Sequence, residues 1–303
     1  MVSNCFYLIV NNECFNDLDI KGSSPNAKFK CQLHLLVISH IKYFLLKWGK
    51  CLKIDHLVVN VDNSVQQDKD IIDSIHSVGL PYNPKKGKGT KGFKVSNIWI
   101  GNEYFEFVSI KTNDGGGWLQ DWTVKYLDGH RGLIGFCLEV DDIEESYQKL
   151  LQQNIHVAPP KPLEFRLFFN LLKKRMPWRN LYLPEFQGVP FQFFLQQLDD
   201  EKTKKYMKKY MVPNSLDNEI SSISEVIIYG KLTIEDKKIL NALFVNYEEK
   251  NDILSICLEK QTIRFVKSDQ YKVEVTLACN QNNYANKVVN IENLQIKNLG
   301  GSI

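Results

Sequence analysis

Apolar and polar positions alternate through IDHLVVNVD (54–62), and its β-branched content predicts a strand. Over 66–80, Ile71, Ile72, Ile75 and Val78 recur at helical spacing and Gly79 supplies a stop, which predicts an amphipathic helix. A Lys/Gly loop follows at 84–92. FKVSNIWIG (93–101) and EYFEFVSIK (103–111) then read as strands joined by a tight turn at Asn102. The same order returns 79 residues later, with Val61-Asp62-Asn63 answered by Val140-Asp141-Asp142. GLIGFCLEVDD (132–142) is the strand and 143–155 the amphipathic helix. Pro159, Pro160 and Pro162 mark the loop, and LEFRLFF, WRNLYLP and PFQFFLQ are the three closing strands. An internal repeat of this kind constrains architecture more than any single element does.

A Lys-rich helix is predicted over 199–211, and Val212-Pro213-Asn214-Ser215 reads as a boundary. The order then appears a third time, more weakly. SEVIIYG (224–230) is a strand, 232–244 a helix, and DILSICLEK, TIRFVKS and YKVEVTLAC are strands. VVNIENLQI near the end reads as one more.

Composition adds a seam to this picture. The 303 residues carry 38 basic and 35 acidic side chains, a balance that argues against a nucleic-acid partner. Residues 1–51 hold six of the lysines and three of the acids, so the remainder is electrically neutral. Four of the seven cysteines (5, 14, 31 and 51) also lie there. An odd cysteine count without paired spacing indicates neither a disulfide framework nor a Cys-based zinc site, and fits a reduced, cytoplasmic compartment. The best apolar stretch of this segment, Leu33–Leu46, is too short to span a bilayer and contains His34, His40 and Lys42. No signal-peptide pattern is present in it. The reading favoured is an N-terminal extension that need not belong to the native protein, with residue 52 as the natural start. A leucine codon can initiate in bacteria, and Trp48-Gly49-Lys50 must be encoded by a purine-rich run resembling a ribosome-binding site. Intact mass of the natural protein checks this, and a mass matching all 303 residues refutes it.

DHLVVNVD, the GKGT…SNIWIGNEYFEF stretch, GFCLEVDD and the LP…GVPFQFF close together resemble the glyoxalase-like domain family of the vicinal oxygen chelate (glyoxalase/bleomycin resistance/dioxygenase) superfamily. The resemblance covers 53–197 well and the last third in outline. It implies an α+β fold in which paired βαβββ modules (52–198) form a cupped half-barrel. A linker helix (199–215) and a third, divergent βαβββ-like module (216–303) follow. Three modules is an odd number, so the last either packs on the first pair or meets a second copy in a homodimer.

In that superfamily each module supplies one metal ligand from its first strand and one from its last. Carried onto this chain, the resemblance implies His56 and Glu106 from the first module, and Gln192 as a weak ligand from the second. Gly135 stands where the pattern has His, so one ligand is absent. The implied cofactor is a divalent metal (zinc, manganese, iron, nickel or magnesium) and no other. It would polarise oxygens of a small metabolite in lyase, isomerase or oxygenase chemistry, with Glu106 as the catalytic group.

The residues read by themselves leave alternatives open. Strand alternation turns Glu106 away from Phe105 and Phe107, onto a face shared with Val108 and Ile110. A carboxylate on a mainly apolar face needs a partner: His56, Arg166 or a ligand. His56 can equally line the concave face as a hydrogen-bonded imidazole, and Gln192 can be a polar wall. Arg166 in LEFRLFF and Arg179 after Trp178 suit carboxylate or phosphate recognition, or else cross-strand salt bridges. Trp118 and Trp122 read either as a flap over the cup or as ordinary packing of a short helix. PKKGKGTKG lacks P-loop spacing and precedes a strand, so the P-loop mechanism is missing and the segment reads as a mobile loop near the cup. Cys137, Cys257 and Cys279 fall on predicted strands, where a buried, inert thiol is the default. Two principal functions follow: a metal-dependent enzyme on a small metabolite, or a metal-free sequestering or sensing protein. A third is a scaffold using the last third for protein contacts. No membrane association is expected.

Overall fold

The structure is a computed structural model that describes residues 52–167, 172–244 and 247–300, the side chains of 165–174 excepted. The extension at 1–51 lies outside the described residues.

The first repeat forms β1 (Lys53–Asn60), α1 (Lys69–Ser77), a short β2 (Lys88–Gly89), β3 (Phe93–Ile100) and β4 (Glu103–Ile110). A helix, α2 (Gln120–Leu127), leads to the second repeat. This is β5 (Gly132–Glu139), α3 (Ile143–Gln152), β6 (Lys161–Leu167), β7 (Leu172–Tyr182) and β8 (Gln192–Leu198). The eight strands make one sheet in the order β2-β3-β4-β1-β5-β8-β7-β6. β1 runs parallel to β4, β5 runs parallel to β8, and β1 and β5 meet antiparallel at the centre. The repeat seen in sequence is therefore an approximate two-fold about the β1–β5 seam. The helix inside each repeat starts on an acidic cap: Asp68 accepts from Asp70 N and Asp142 from Glu145 N.

After α4 (Glu201–Lys208) come β9 (Ile220–Gly230), α5 (Ile234–Leu243), β10 (Glu248–Lys250), β11 (Ile253–Cys257) and β12 (Thr262–Lys267). β13 (Lys272–Cys279), β14 (Val288–Ile291) and β15 (Leu294–Gly300) close the chain. They form a second sheet in the order β10-β11-β12-β9-β13-β15-β14. β9 is parallel to β12, β13 is parallel to β15, and β9 meets β13 antiparallel. The strand read as the third module's last, 271–279, in fact opens a further unit of β13, β14 and β15 that lacks a helix. The odd repeat is thus partnered within the chain by a reduced fourth one, and the second sheet copies the first in outline.

One core joins the two sheets. The convex face of the first sheet (Leu57, Phe105, Phe107, Phe136, Phe193) packs with alternate residues of the second (Val226, Ile228, Phe265, Val275), and α1, α3 and α5 add Ile75, Leu150 and Leu240. Buried carboxylates tie the layers. Glu103 on β4 accepts from Ile223 N at 2.5 Å and from Gln261 Nε2 at 2.9 Å. Asp236 on α5, fully buried, accepts from Gln187 N, Gly188 N and Thr233 N at 2.7–2.9 Å. Gly188 is needed for that approach, since a Cβ there would lie 1.7 Å from the Lys231 carbonyl oxygen. No described helix is long and apolar enough to cross a membrane.

Candidate functional site

With its convex face committed to that core, the first sheet carries on its concave face a second, smaller buried cluster that includes Val58, Phe93, Val108, Trp122 and Phe194, with a few polar side chains set among them. Two cross-strand rows run over it. One is Phe194–Cys137–His56–Tyr104–Trp99, the other Gln192–Gly135–Val58–Glu106–Asn97. β3, β4 and β8 keep the period of two, so Glu106 faces the cup as its alternation predicts, while β1 and β5 break it at two register shifts.

The first-module half is polar at its centre. His56 is nearly buried, its ring stacked on Tyr104 with centroids 4.3 Å apart and edged by Phe194 at 5.3 Å. Its hydrogen-bond partner is the neighbouring residue and not Glu106. A register shift in the β1–β5 ladder between Ile54 and His56 brings Asp55 alongside, and His56 Nδ1–H donates to Asp55 Oδ1 at 2.5 Å. The carboxylate can only accept, so this bond places a proton on Nδ1. Glu106 is partly buried. Burial pushes its carboxyl above the usual range, His56 opposes that and Asp55 reinforces it. Burial likewise raises Tyr104 and Cys137 well above their ordinary values, with Asp55 and Glu106 adding to both.

The second-module half is filled. Trp122, from α2, is 2% exposed and lies on this face against Phe194 and Tyr182 at 5.9 and 6.1 Å between centroids. A Cβ at Gly135 would fall 2.3 Å from the Trp122 ring. Its indole Nε1–H donates to Gln192 Oε1 at 3.0 Å, and Gln192 Nε2 donates to the Leu183 carbonyl. Both second-module ligand positions are therefore turned toward one tryptophan. Gly135 gives it room and Gln192 gives it an acceptor.

The donor set for a metal shared between modules consequently does not fit. His56 and Glu106 remain, but the space opposite holds an indole, and the one acceptor oxygen of Gln192 is engaged. Among the other predicted site residues, Trp118 stands beside Trp122 at 6.2 Å and packs on Phe93 at 5.0 Å. Arg179 is directed elsewhere: its guanidinium donates to Glu144 Oε1 at 2.6 Å and Gln197 Oε1 at 2.7 Å. The backbone of Arg166 lies in β6, and its side chain is outside the described residues. The Lys/Gly loop contributes the edge strand β2, paired to β3. Asp55, Tyr104, Trp99 and Cys137 join the concave cluster without having been singled out as site residues. Tyr104 and Trp99 were within reach of the alternation rule, whereas Asp55 needed knowledge of the register shift.

The profile of the glyoxalase-like domain matches residues 54–235. No curated protein matches the chain. Among solved structures, a hypothetical protein from Staphylococcus aureus is similar at 17% identity, covering 82% of this chain and 100% of its own, with a TM-score of 0.61. A 4-hydroxymandelate synthase variant from Streptomyces coelicolor is similar at 9% identity, covering 77% of this chain and 72% of its own, with a TM-score of 0.45. A methylmalonyl-CoA epimerase variant from Streptomyces coelicolor, in complex with 2-nitronate-propionyl-CoA, is similar at 10% identity. It covers 49% of this chain and 95% of its own, with a TM-score of 0.35.

Proposed function

This chain belongs to the glyoxalase-like domain family, and on that premise we propose that it binds a small, neutral metabolite against the first-module half of the concave face. The observation that carries the reading is the asymmetry of that face: His56 and Glu106 stand together on one half, and Trp122 fills the other. The shared metal of the family has no part in the binding.

The chemistry of the ligand follows from the groups that would meet it. Asp55 and Glu106 make the cluster acidic, and Arg179 is occupied by Glu144, so an anionic ligand is disfavoured. Trp99 and Tyr104, 4.5 Å apart, offer an aromatic wall for an apolar or aromatic portion. A carbonyl or hydroxyl of the ligand would meet the carboxyl of Glu106 and the free Nε2 of His56. A carboxyl held above its usual range is suited to passing a proton, so Glu106 is the group to which a proton-transfer step is assigned.

The test is thermal unfolding of the chelator-treated full chain with two panels, neutral hydroxyketones and phenols against small carboxylic acids. Protection by the neutral panel, lost in Glu106→Gln, is expected. Protection by carboxylic acids alone, or protection unchanged in Glu106→Gln, defeats the reading. Turnover by the protected protein would make it an enzyme, and protection without turnover a sequestering or sensing protein.

A further inference from the structure

Cys137 is the direct cross-strand partner of His56, two residues along β5 from the ligand position that Gly135 leaves empty. Its thiol, fully buried, has no part in the metabolite reading. On the other side of His56, the register shift that brings in Asp55 places a carboxylate on the same imidazole. One ligand atom each from Asp55, His56 and Cys137 lie within 4.8 Å of one another, and no other such group occurs among the described residues.

We propose that Asp55, His56 and Cys137 form a binding site for a borderline divalent cation of the zinc type, built entirely on the β1–β5 seam instead of between modules. The donor chemistry selects the ion. A thiolate with an imidazole and a carboxylate suits zinc or cobalt, and a hard cation such as magnesium or calcium would not choose the sulfur. The spacing is also close to what the ion needs. Bonds of about 2.0–2.3 Å in a tetrahedron set the ligand atoms roughly 3.5 Å apart, so the bonded Asp55–His56 pair opens by about an ångström and the widest pair closes by little more than that. Binding exchanges the Asp55–His56 hydrogen bond and the thiol proton for metal bonds, and it releases protons to solvent. Three protein ligands leave a fourth position for water or a ligand atom, on the same face as Glu106. The site differs from the family arrangement in two of its three donors, and it needs neither Gly135 nor Gln192.

A cation here is independent of whether a metabolite binds. The experiment strips the full chain with a chelator and titrates it with cobalt(II) in place of zinc. One equivalent is expected to bring up thiolate-to-cobalt charge-transfer absorption in the near ultraviolet, with the strong visible bands of four-coordinate cobalt. Cys137→Ser is expected to abolish the charge-transfer band. Asp55→Asn should keep the band and weaken binding about tenfold or more. Gln192→Ala should leave cobalt affinity unchanged. The site is overturned by no binding, by cobalt bound without the thiolate band, by a band that survives Cys137→Ser, or by an unaltered affinity in Asp55→Asn. A tenfold loss in Gln192→Ala would place the ion between the modules and overturn it equally. Where Cys137→Ser does not fold, X-ray absorption of the zinc-loaded natural sequence replaces it, with one sulfur neighbour at about 2.3 Å expected and none refuting. Neutral-metabolite protection without any cobalt site would remove this proposal and leave the metabolite reading standing. A cobalt site without protection would do the reverse.

Discussion

The two halves of the concave face share a topology and differ in what occupies it. In the first-module half, β1 and β4 hold a nearly buried imidazole, two carboxylates and an aromatic wall. In the second-module half, β5 and β8 hold a glycine and an amide, both directed at Trp122. The difference teaches that a repeated module can trade ligation for packing. With no side chain at Gly135 there is room for an indole, and the burial of that indole packs this half. The first half keeps the opposite bargain, because the Glu106 carboxyl, its proton affinity raised by burial, is held there at a cost in stability.

The comparison breaks most visibly at its centre. Trp122→Ala is expected to destabilise the fold by about 3–5 kcal/mol, since it empties a site with packed aromatic neighbours and strands Gln192. Chemical denaturation checks this, and a loss within the error of measurement would mean the second half is not a packed core. Gly135→Ala is expected to cost about 1–3 kcal/mol by overpacking against the same ring. In the Trp122→Ala background that cost should largely vanish, and a double-mutant cycle with no coupling would dissociate the two residues. Gln192→Leu should cost about 1–2 kcal/mol, because the indole N–H and the Leu183 carbonyl both lose their partner.

A pH effect tests the first half. Glu103 ties β4, the strand that carries Glu106, to the second sheet, and burial pushes its carboxyl up to about 8. The folded chain therefore binds this proton more tightly than the unfolded one. The resulting stability is full below the ordinary carboxyl value of 4.5 and is lost as pH rises through about 8. Stability should fall across that window, on the order of 1 kcal/mol per pH unit at its steepest, and Glu103→Gln should flatten the profile. An identical profile in the variant would assign the slope to other groups. The smallest effect belongs to Arg179→Ala. Its pair with Glu144 is solvent-exposed on the carboxylate side, so a change of about 0.5 kcal/mol or less, with ligand protection intact, is expected. A loss of protection would bring Arg179 back to the site.

Much of this was legible because it obeys short-range rules. Alternation in EYFEFVSI turned Glu106 to the cup, and the 79-residue recurrence equated His56 with Gly135 and exposed the missing ligand. The β13–β15 unit was less legible because it has no helix, and the strand-helix-strand order was the signal that made the other modules readable. Arg166 and Arg179 show the limit of residue-type reasoning. An arginine between apolar residues signals a partner without saying on which face the partner stands, and for Arg179 it is Glu144.

The amino-acid sequence by itself determined the first two repeats, the faces of the regular strands β3, β4 and β8, and the two ligand-type residues of the first half, because periods of 2.0 and 3.6 are set by the backbone and need no distant contact. Only the tertiary structure decided that Trp122 would fill the space beside Gly135, that Asp55 would share a face with His56, and that Cys137 would lie opposite it. Each of these depends on a register or a packing contact between segments far apart in the chain. Such contacts are chosen by the energy of the whole core, which no local pattern reports.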